Sequence, residues 1–85
     1  MTYAVFWTPE AEDELADAWL AAADRAAVTD ASHRIDQQLA SNPFACGFAR
    51  NASVNRTVVD RPLAADYEII EDDKKVRVLG VWTVP

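Results

Sequence analysis

The last third of the chain, Arg56 to Val84, reads RTVVDRPLAADYEIIEDDKKVRVLGVWTV and limits the fold more than any other stretch. Three apolar runs are divided by breakers. Thr57-Val58-Val59 stops at Asp60-Arg61-Pro62. Ala65 to Ile70 stops in Glu71-Asp72-Asp73-Lys74, and Val76 to Val84 follows. Val, Ile, Tyr, Trp and Thr suit a pleated, half-buried surface. Connections this short join antiparallel neighbours, so the spacing predicts a three-stranded meander. The second turn has no Gly, which argues for a longer loop around Asp72-Asp73 over a two-residue type I′ hairpin.

The chain ahead of the meander supplies its cover. Tyr3-Ala4-Val5-Phe6-Trp7 is a short bulky run, read as a first strand that can join either edge of the meander. Thr8-Pro9-Glu10 has the chemistry of a helix start: a hydroxyl cap, a proline at the first helical position and acids in the first turn. Ala11, Leu15, Ala18, Trp19 and Ala22 then fall at offsets 0, 4, 7, 8 and 11, one face of a helix running to about Asp24 or Arg25. A second helix is expected from about Thr29-Asp30, with Ala31, Ile35 and Leu39 as its stripe and Asn42-Pro43 as its stop. The short link makes the two helices an antiparallel hairpin, and the sheet is where both stripes can be buried. On this reading Leu15→Ala costs ~2–5 kcal/mol. Residues 42 to 55 read as a loop anchored by Phe44 and Phe48. The expected class is α+β, in the order β-α-α-β-β-β, with the hairpin packed on a mainly antiparallel sheet.

Eighty-five residues make a single domain, residues 1–85, with a modest core that a partner chain would help. The single Cys, Cys46, excludes an internal disulfide and fits a reducing compartment. The N-terminus lacks the form of a signal peptide, and no apolar run approaches the ~20 residues of a membrane span. A cytoplasmic location without direct membrane contact is therefore expected. The formal charge is −6, from eight Lys plus Arg against fourteen Asp plus Glu. Such a domain is repelled by phosphate backbones at long range, which argues against strong binding of free nucleic acid. The balance is uneven. Glu10, Glu12, Asp13, Glu14 and Asp17 crowd one helix, whereas Arg50, Arg56 and Arg61 face Asp60 alone in one short segment.

The order of these pieces resembles the RelE/ParE superfamily of bacterial type II toxin–antitoxin toxins. The resemblance spans nearly the whole length. It rests on VFWTPEAEDEL with Pro9, Ala11 and Leu15, on the helix exit IDQQLASNPFACG, and on Arg56 opening the next strand. Pro62-Leu63, Tyr67 and the closing VRVLGVW complete it. It implies a compact toxin wrapped by a cognate antitoxin and encoded for plasmid stabilization or a similar role. RelE-like members cleave mRNA on the ribosome; ParE-like members inhibit DNA gyrase. If the chain is RelE-like, the resemblance makes Arg56, Arg61, Tyr67 and Arg77 its catalytic residues. The chain departs from the ribonuclease pattern at its end: Val81, Trp82, Thr83, Val84 and Pro85 bring no basic group after Gly80. This favours a ParE-like or catalytically degenerate toxin over a ribonuclease. A non-toxic interaction module is the reading from a different class.

The chemistry of these residues also has plainer explanations. Arg56, Arg61 and Arg77 can bind phosphate and stabilise charge in a phosphodiester transition state. Cleavage at a 2′-hydroxyl further needs an acid or base, for which Glu68 and His33 are candidates by type. Arg77 and Glu68 on paired strands would instead form a cross-strand ion pair. Tyr67 alternates with Ala65 and Ile69 on one sheet face, where core packing is the favoured role and stacking on a substrate base the alternative. His33 has no partner at ligand spacing, so no metal and no cofactor is implied. Cys46 reads as a small loop filler. Trp7, Trp19 and Trp82 read as core, with a partner-binding cluster as the alternative, and the acidic run from Glu10 to Asp17 as a solvated helix face, with reception of a basic antitoxin segment as its alternative.

Overall fold

A computed structural model describes residues 2–49 and 55–85. The elements are β1 (Ala4–Trp7), α1 (Pro9–Ala21), α2 (Arg25–Ser41), β2 (Phe48–Ala49), β3 (Asn55–Asp60), β4 (Leu63–Ile70) and β5 (Lys75–Thr83). The expected α+β class and the helical hairpin on a mainly antiparallel sheet are both present. The strands form one sheet in the order β1-β5-β4-β3-β2. β3, β4 and β5 make the antiparallel meander, and β1 joins parallel to β5, which settles its edge. β2 is an addition to the sequence reading. Phe48 and Ala49 pair with Thr57 and Arg56, so the loop contributes a short edge strand. Residues 50–54 of that loop, among them Arg50, Asn51 and Ser53, lie outside the described residues.

The helix boundaries follow from capping. Thr8 accepts a bond from the amide of Ala11 at 3.2 Å, with Pro9 at the first helical position, as its chemistry dictates. The second helix starts earlier than the expected Thr29-Asp30. Asp24 caps it by accepting from the amide of Ala27 at 3.1 Å. An Asp cap three residues before Ala27 outweighs the weaker signal at Thr29-Asp30, and the first helix accordingly stops at Ala21. Arg25 reinforces the stop by donating to the carbonyls of Trp19 and Leu20 at 3.2 Å each. These are carbonyls that the end of a helix leaves unpaired.

The core lies between the helices and one sheet face. Val28, Ala31, Ile35 and Leu39 from α2 and Ala11 from α1 meet Val58, Leu63, Ala65, Tyr67, Ile69, Val76, Val78 and Val81. α1 lies chiefly on β5, and α2 spans β1, β3 and β4. Ile35 and Leu39 are fully enclosed, each worth about 1.5–3 kcal/mol. Leu15 is only half-buried at the margin of this cluster. The full-burial cost expected for its truncation therefore does not apply. The tryptophans also correct the sequence reading. Trp19 and Trp82 are 39% and 40% exposed, and Trp7 is half-buried. The small helix face of Ala11, Ala18 and Ala22 brings α1 close to the sheet, leaving no room for an indole between them. Phe44 and Phe48, read as anchors, are likewise exposed.

Two local devices complete the sheet. β1 ends where Trp7 faces Val78, leaving the far half of β5 uncovered on that side. Glu14 of α1 reaches across and accepts from the amide of Val81 at 3.0 Å. One member of the acidic helix face is thus a backbone acceptor and not merely solvated. The β4–β5 turn is a single 3-10 turn over Glu71–Asp73, closed by Lys74 at φ 52. That is the longer loop the missing glycine implied.

Candidate functional site

β3 and β4 carry Arg56 and Tyr67 directly opposite one another. Directly opposed residues share a sheet face. Here it is the core face, since Tyr67 is 0% exposed. Arg56 and Tyr67 both turn towards the segment after α2. The Tyr67 hydroxyl donates to the carbonyl of Pro43 at 2.6 Å, and Cys46 Sγ lies 3.8 Å from it. Arg56 Nη2 donates to the carbonyls of Phe44 and Gly47 at 2.8 and 2.7 Å. Gly47 is required where it stands: a Cβ there would overlap the Tyr67 hydroxyl and lie 2.6 Å from the carbonyl of Thr57. The group is a clasp. Two side chains from the sheet tie down the chain between α2 and β2.

The electrostatics of the clasp follow from its burial. Desolvation pushes the Tyr67 phenol up to about 12, opposed by the Arg56 guanidinium beside it. Burial also pushes the Cys46 thiol up, so it is a poor nucleophile at neutral pH. A neutral Tyr67 and a protonated Cys46 are structural groups. The sequence reading of Cys46 as a small loop filler is consistent with this. Arg56 Nε is buried without a hydrogen-bond partner. The Arg56 contacts are backbone carbonyls, and no sequence pattern announces those.

Arg77 and Arg61 lie elsewhere. Arg77 pairs with Glu68 across β4 and β5, and the two form an ion pair on the sheet face turned away from the helices. Arg61 sits in the β3–β4 turn with an exposed side chain; its backbone carbonyl accepts from Arg34 at 3.3 Å. The guanidinium of Arg61 has no hydrogen bond or ion pair among the described residues. Asp60, its neighbour in sequence, is held by Arg34 Nε and Nη2 at 3.0 and 2.9 Å and by Gln38 at 2.9 Å. The four arginine and tyrosine candidates therefore occupy three places: the core face, the outer face and the sheet end. The candidate acid-base residues are also apart, with Glu68 on the outer face and His33 exposed on α2. Thr57 and Asp66 are bonded at 2.6 Å, another polar pair across β3 and β4.

A concavity between the helices is one that sequence reasoning missed. Between α1 and α2 runs a groove of about 530 Å³, lined by Trp7, Glu12, Leu15, Ala16, Trp19, Val28, Thr29, Ser32, His33 and Asp36. Trp7 Nε1 donates to Asp36 at 3.3 Å at one end. At the other end the Arg25 guanidinium lies over the Trp19 ring, 4.7 Å from its centre. The available signal was Trp19, an indole at the edge of an otherwise small helix face. Among the described residues no group of three or more His, Cys, Asp or Glu is placed to hold a metal ion. No helix among them is long and apolar enough to cross a membrane.

No family model and no curated protein matches the sequence. Solved structures do match the fold. A chain of the RelBE2 toxin–antitoxin complex from Mycobacterium tuberculosis superposes with a TM-score of 0.79 at 16% identity, covering 99% of this chain and 93% of that one. A chain of the chromosomal ParDE system from P. aeruginosa gives 0.73 at 18% identity, covering 99% and 98%. The isolated RelE toxin of E. coli gives 0.71 at 15% identity, covering 98% and 85%. The sequence resemblance and the superpositions agree, and the chain has the RelE/ParE toxin fold over essentially its whole length.

Proposed function

We propose that the chain is the toxin of a type II toxin–antitoxin pair, neutralised by a cognate antitoxin in the cytoplasm. Its target is gyrase-type, as in ParE-like proteins, or its catalytic surface is degenerate. The single observation that carries the choice is the commitment of the candidate catalytic groups to the chain's own structure. Arg56 binds two carbonyls, Tyr67 is enclosed and bonded to a third, and Arg77 is paired with Glu68. A ribonuclease needs such groups free to meet a phosphate and its neighbouring hydroxyl. The net charge of −6 works in the same direction.

Induced expression tests this reading. Growth arrest is expected, relieved by co-expressing the small neighbouring reading frame, whose product co-purifies. Transcript ends should be unchanged during arrest. New cleavage sites in translated messages would instead support the RelE-like reading, in which the exposed Arg61 is the remaining free guanidinium of the set. Normal growth on induction would leave the non-toxic interaction module.

A further inference from the structure

We propose that the sheet face turned away from the helices is a dimer interface between two copies of this chain, with Trp82 of each copy seated in a pocket beside Lys75 and Arg77 of the other. Seven large apolar side chains are exposed among the described residues, and four of them, Phe6, Phe48, Val59 and Trp82, stand on this face. The register places them there. Phe6 pairs with Arg77 and Phe48 with Thr57, while Val59 and Trp82 flank Ala64 from either side. Arg77 and Ala64 each stand between two core residues of their strand, and Thr57 lies beside Val58, so all three point outward. Ala64 is fully enclosed although no helix lies on its side of the sheet, so Val59 and Trp82 close over it as an apolar ridge. Exposed apolar surface gathered on one face marks an interaction site.

Charge favours a second copy as the occupant. The strand residues of this face carry two cations, Lys75 and Arg77, and two carboxylates, Asp66 and Glu68, and so balance. The excess behind the net charge of −6 lies elsewhere, much of it in the first half of α1. Pairing outer face to outer face keeps these acidic helices far apart. With the sheets about 10 Å apart and a helix about 10 Å beyond each, the two α1 helices stand about 30 Å from one another, several times the Debye length of ~8 Å at physiological salt. A strongly charged partner finds no net charge on this face to meet.

The face is also complementary to itself. A pocket of about 290 Å³ opens at its Lys75 end, with Phe6 and Ile70 as apolar walls and Asp73, Lys75 and Arg77 around them. Lys75 already lies over the Phe6 ring, 5.6 Å from its centre, and an incoming indole meets the same kind of cation–ring attraction. Trp82 stands on the same strand, about 17 Å beyond Arg77. A two-fold axis between the faces, crossing β5 midway, brings each Trp82 over the other copy's pocket, the reciprocal contact that an isologous dimer requires. The strands of the two sheets then run nearly aligned, as in face-to-face sheet packing. The two Asp66 carboxylates approach one another near the axis, a repulsion that limits the affinity and that salt screens. In projection the sheet, five strands wide and eight residues long at β4, covers about 600 Å². A standard interface takes about 800 Å² from each partner, so the dimer sits at the weak end, with a Kd on the order of micromolar. Nothing in this inference rests on the toxin reading.

Sedimentation equilibrium of the full chain is the test. The mass should rise from 9.4 kDa towards twice that value between low micromolar and submillimolar concentration. Added salt should tighten the dimer, because it screens the repulsion between two bodies of charge −6 and leaves the apolar contact in place. Trp82→Ser and Val59→Asp should each remain at 9.4 kDa throughout. Both side chains are exposed, and circular dichroism melts verify that each variant is folded. Arg77→Glu should weaken association about tenfold or more, since it takes a cation from the pocket and makes the face acidic. Leu20→Ser removes an exposed side chain from α1 and should associate like the parent. A mass of 9.4 kDa at every concentration overturns the proposal. A dimer that Trp82→Ser leaves intact, or that Leu20→Ser abolishes, overturns it equally.

Discussion

Tyr67→Phe separates a structural clasp from a catalytic tyrosine. The ring is enclosed and its hydroxyl donates to the carbonyl of Pro43 at 2.6 Å. Phenylalanine keeps the packing and removes only the bond, leaving that carbonyl short of a partner. The expected cost near neutral pH is about 1–3 kcal/mol. The alkaline limb supplies an independent check. Folding raises the Tyr67 phenol from about 10 to about 12. The stability linked to its neutral form is complete below the unfolded value. It is lost as pH rises towards the folded one, because the unfolded tyrosine ionises first. That difference is worth about 1–3 kcal/mol. Phenylalanine has no such limb, so the stability gap between the two proteins should close between about pH 10 and pH 12. Urea unfolding followed by circular dichroism at several pH values measures it. A gap below about 0.5 kcal/mol at neutral pH would refute the clasp, as would a gap that stays constant into alkali.

The remaining predictions concern neighbouring parts of the fold. Arg56→Met removes the Nη2 donor that two carbonyls share and should cost about 1–3 kcal/mol in the same assay, whereas a purely phosphate-binding arginine would leave stability unchanged. Gly47→Ala forces a Cβ against the Thr57 carbonyl and should cost more than about 2 kcal/mol, measured as a lowered melting temperature. Leu39→Ala empties an enclosed site and should cost ~2–5 kcal/mol, while the half-buried Leu15→Ala should cost about 1–2 kcal/mol. Glu68→Ala removes an exposed cross-strand pair and should cost no more than about 1 kcal/mol.

The parts legible in the sequence are those governed by short-range chemistry. The three strand runs, the Thr8-Pro9 start and the Ala31, Ile35, Leu39 stripe depend on residues a few positions apart, and each stands where the pattern placed it. The Glu68–Arg77 pair was legible because a short turn fixes which residues of two adjacent strands face one another. The errors arise where a long-range contact outweighs a local one. Trp19 has the period of a core residue, but the close approach of an alanine face displaces it to the groove. The clasp uses backbone carbonyls of Pro43, Phe44 and Gly47 as partners, and a carbonyl carries no sequence signature. Arg34 takes Asp60 from Arg61 across a gap that sequence adjacency conceals.

Fold and surface chemistry are coupled unevenly in this chain. At positions 68 and 77 they are separable. The side chains lie on the outer face, the β4–β5 register is set by the buried residues between them, and a charge can be changed there without disturbing the core. At position 56 they are not separable. The same guanidinium that would meet a phosphate holds the link between α2 and β2, so freeing it would loosen the segment that orders the sheet edge. A chain with this architecture can therefore acquire or lose a cationic outer face by exchanging a few strand residues, while its arginine at the β3 start stays fixed for stability. That asymmetry explains how the toxin fold persists on a body of charge −6, and why an arginine that matches a family position is weak evidence for the family's chemistry.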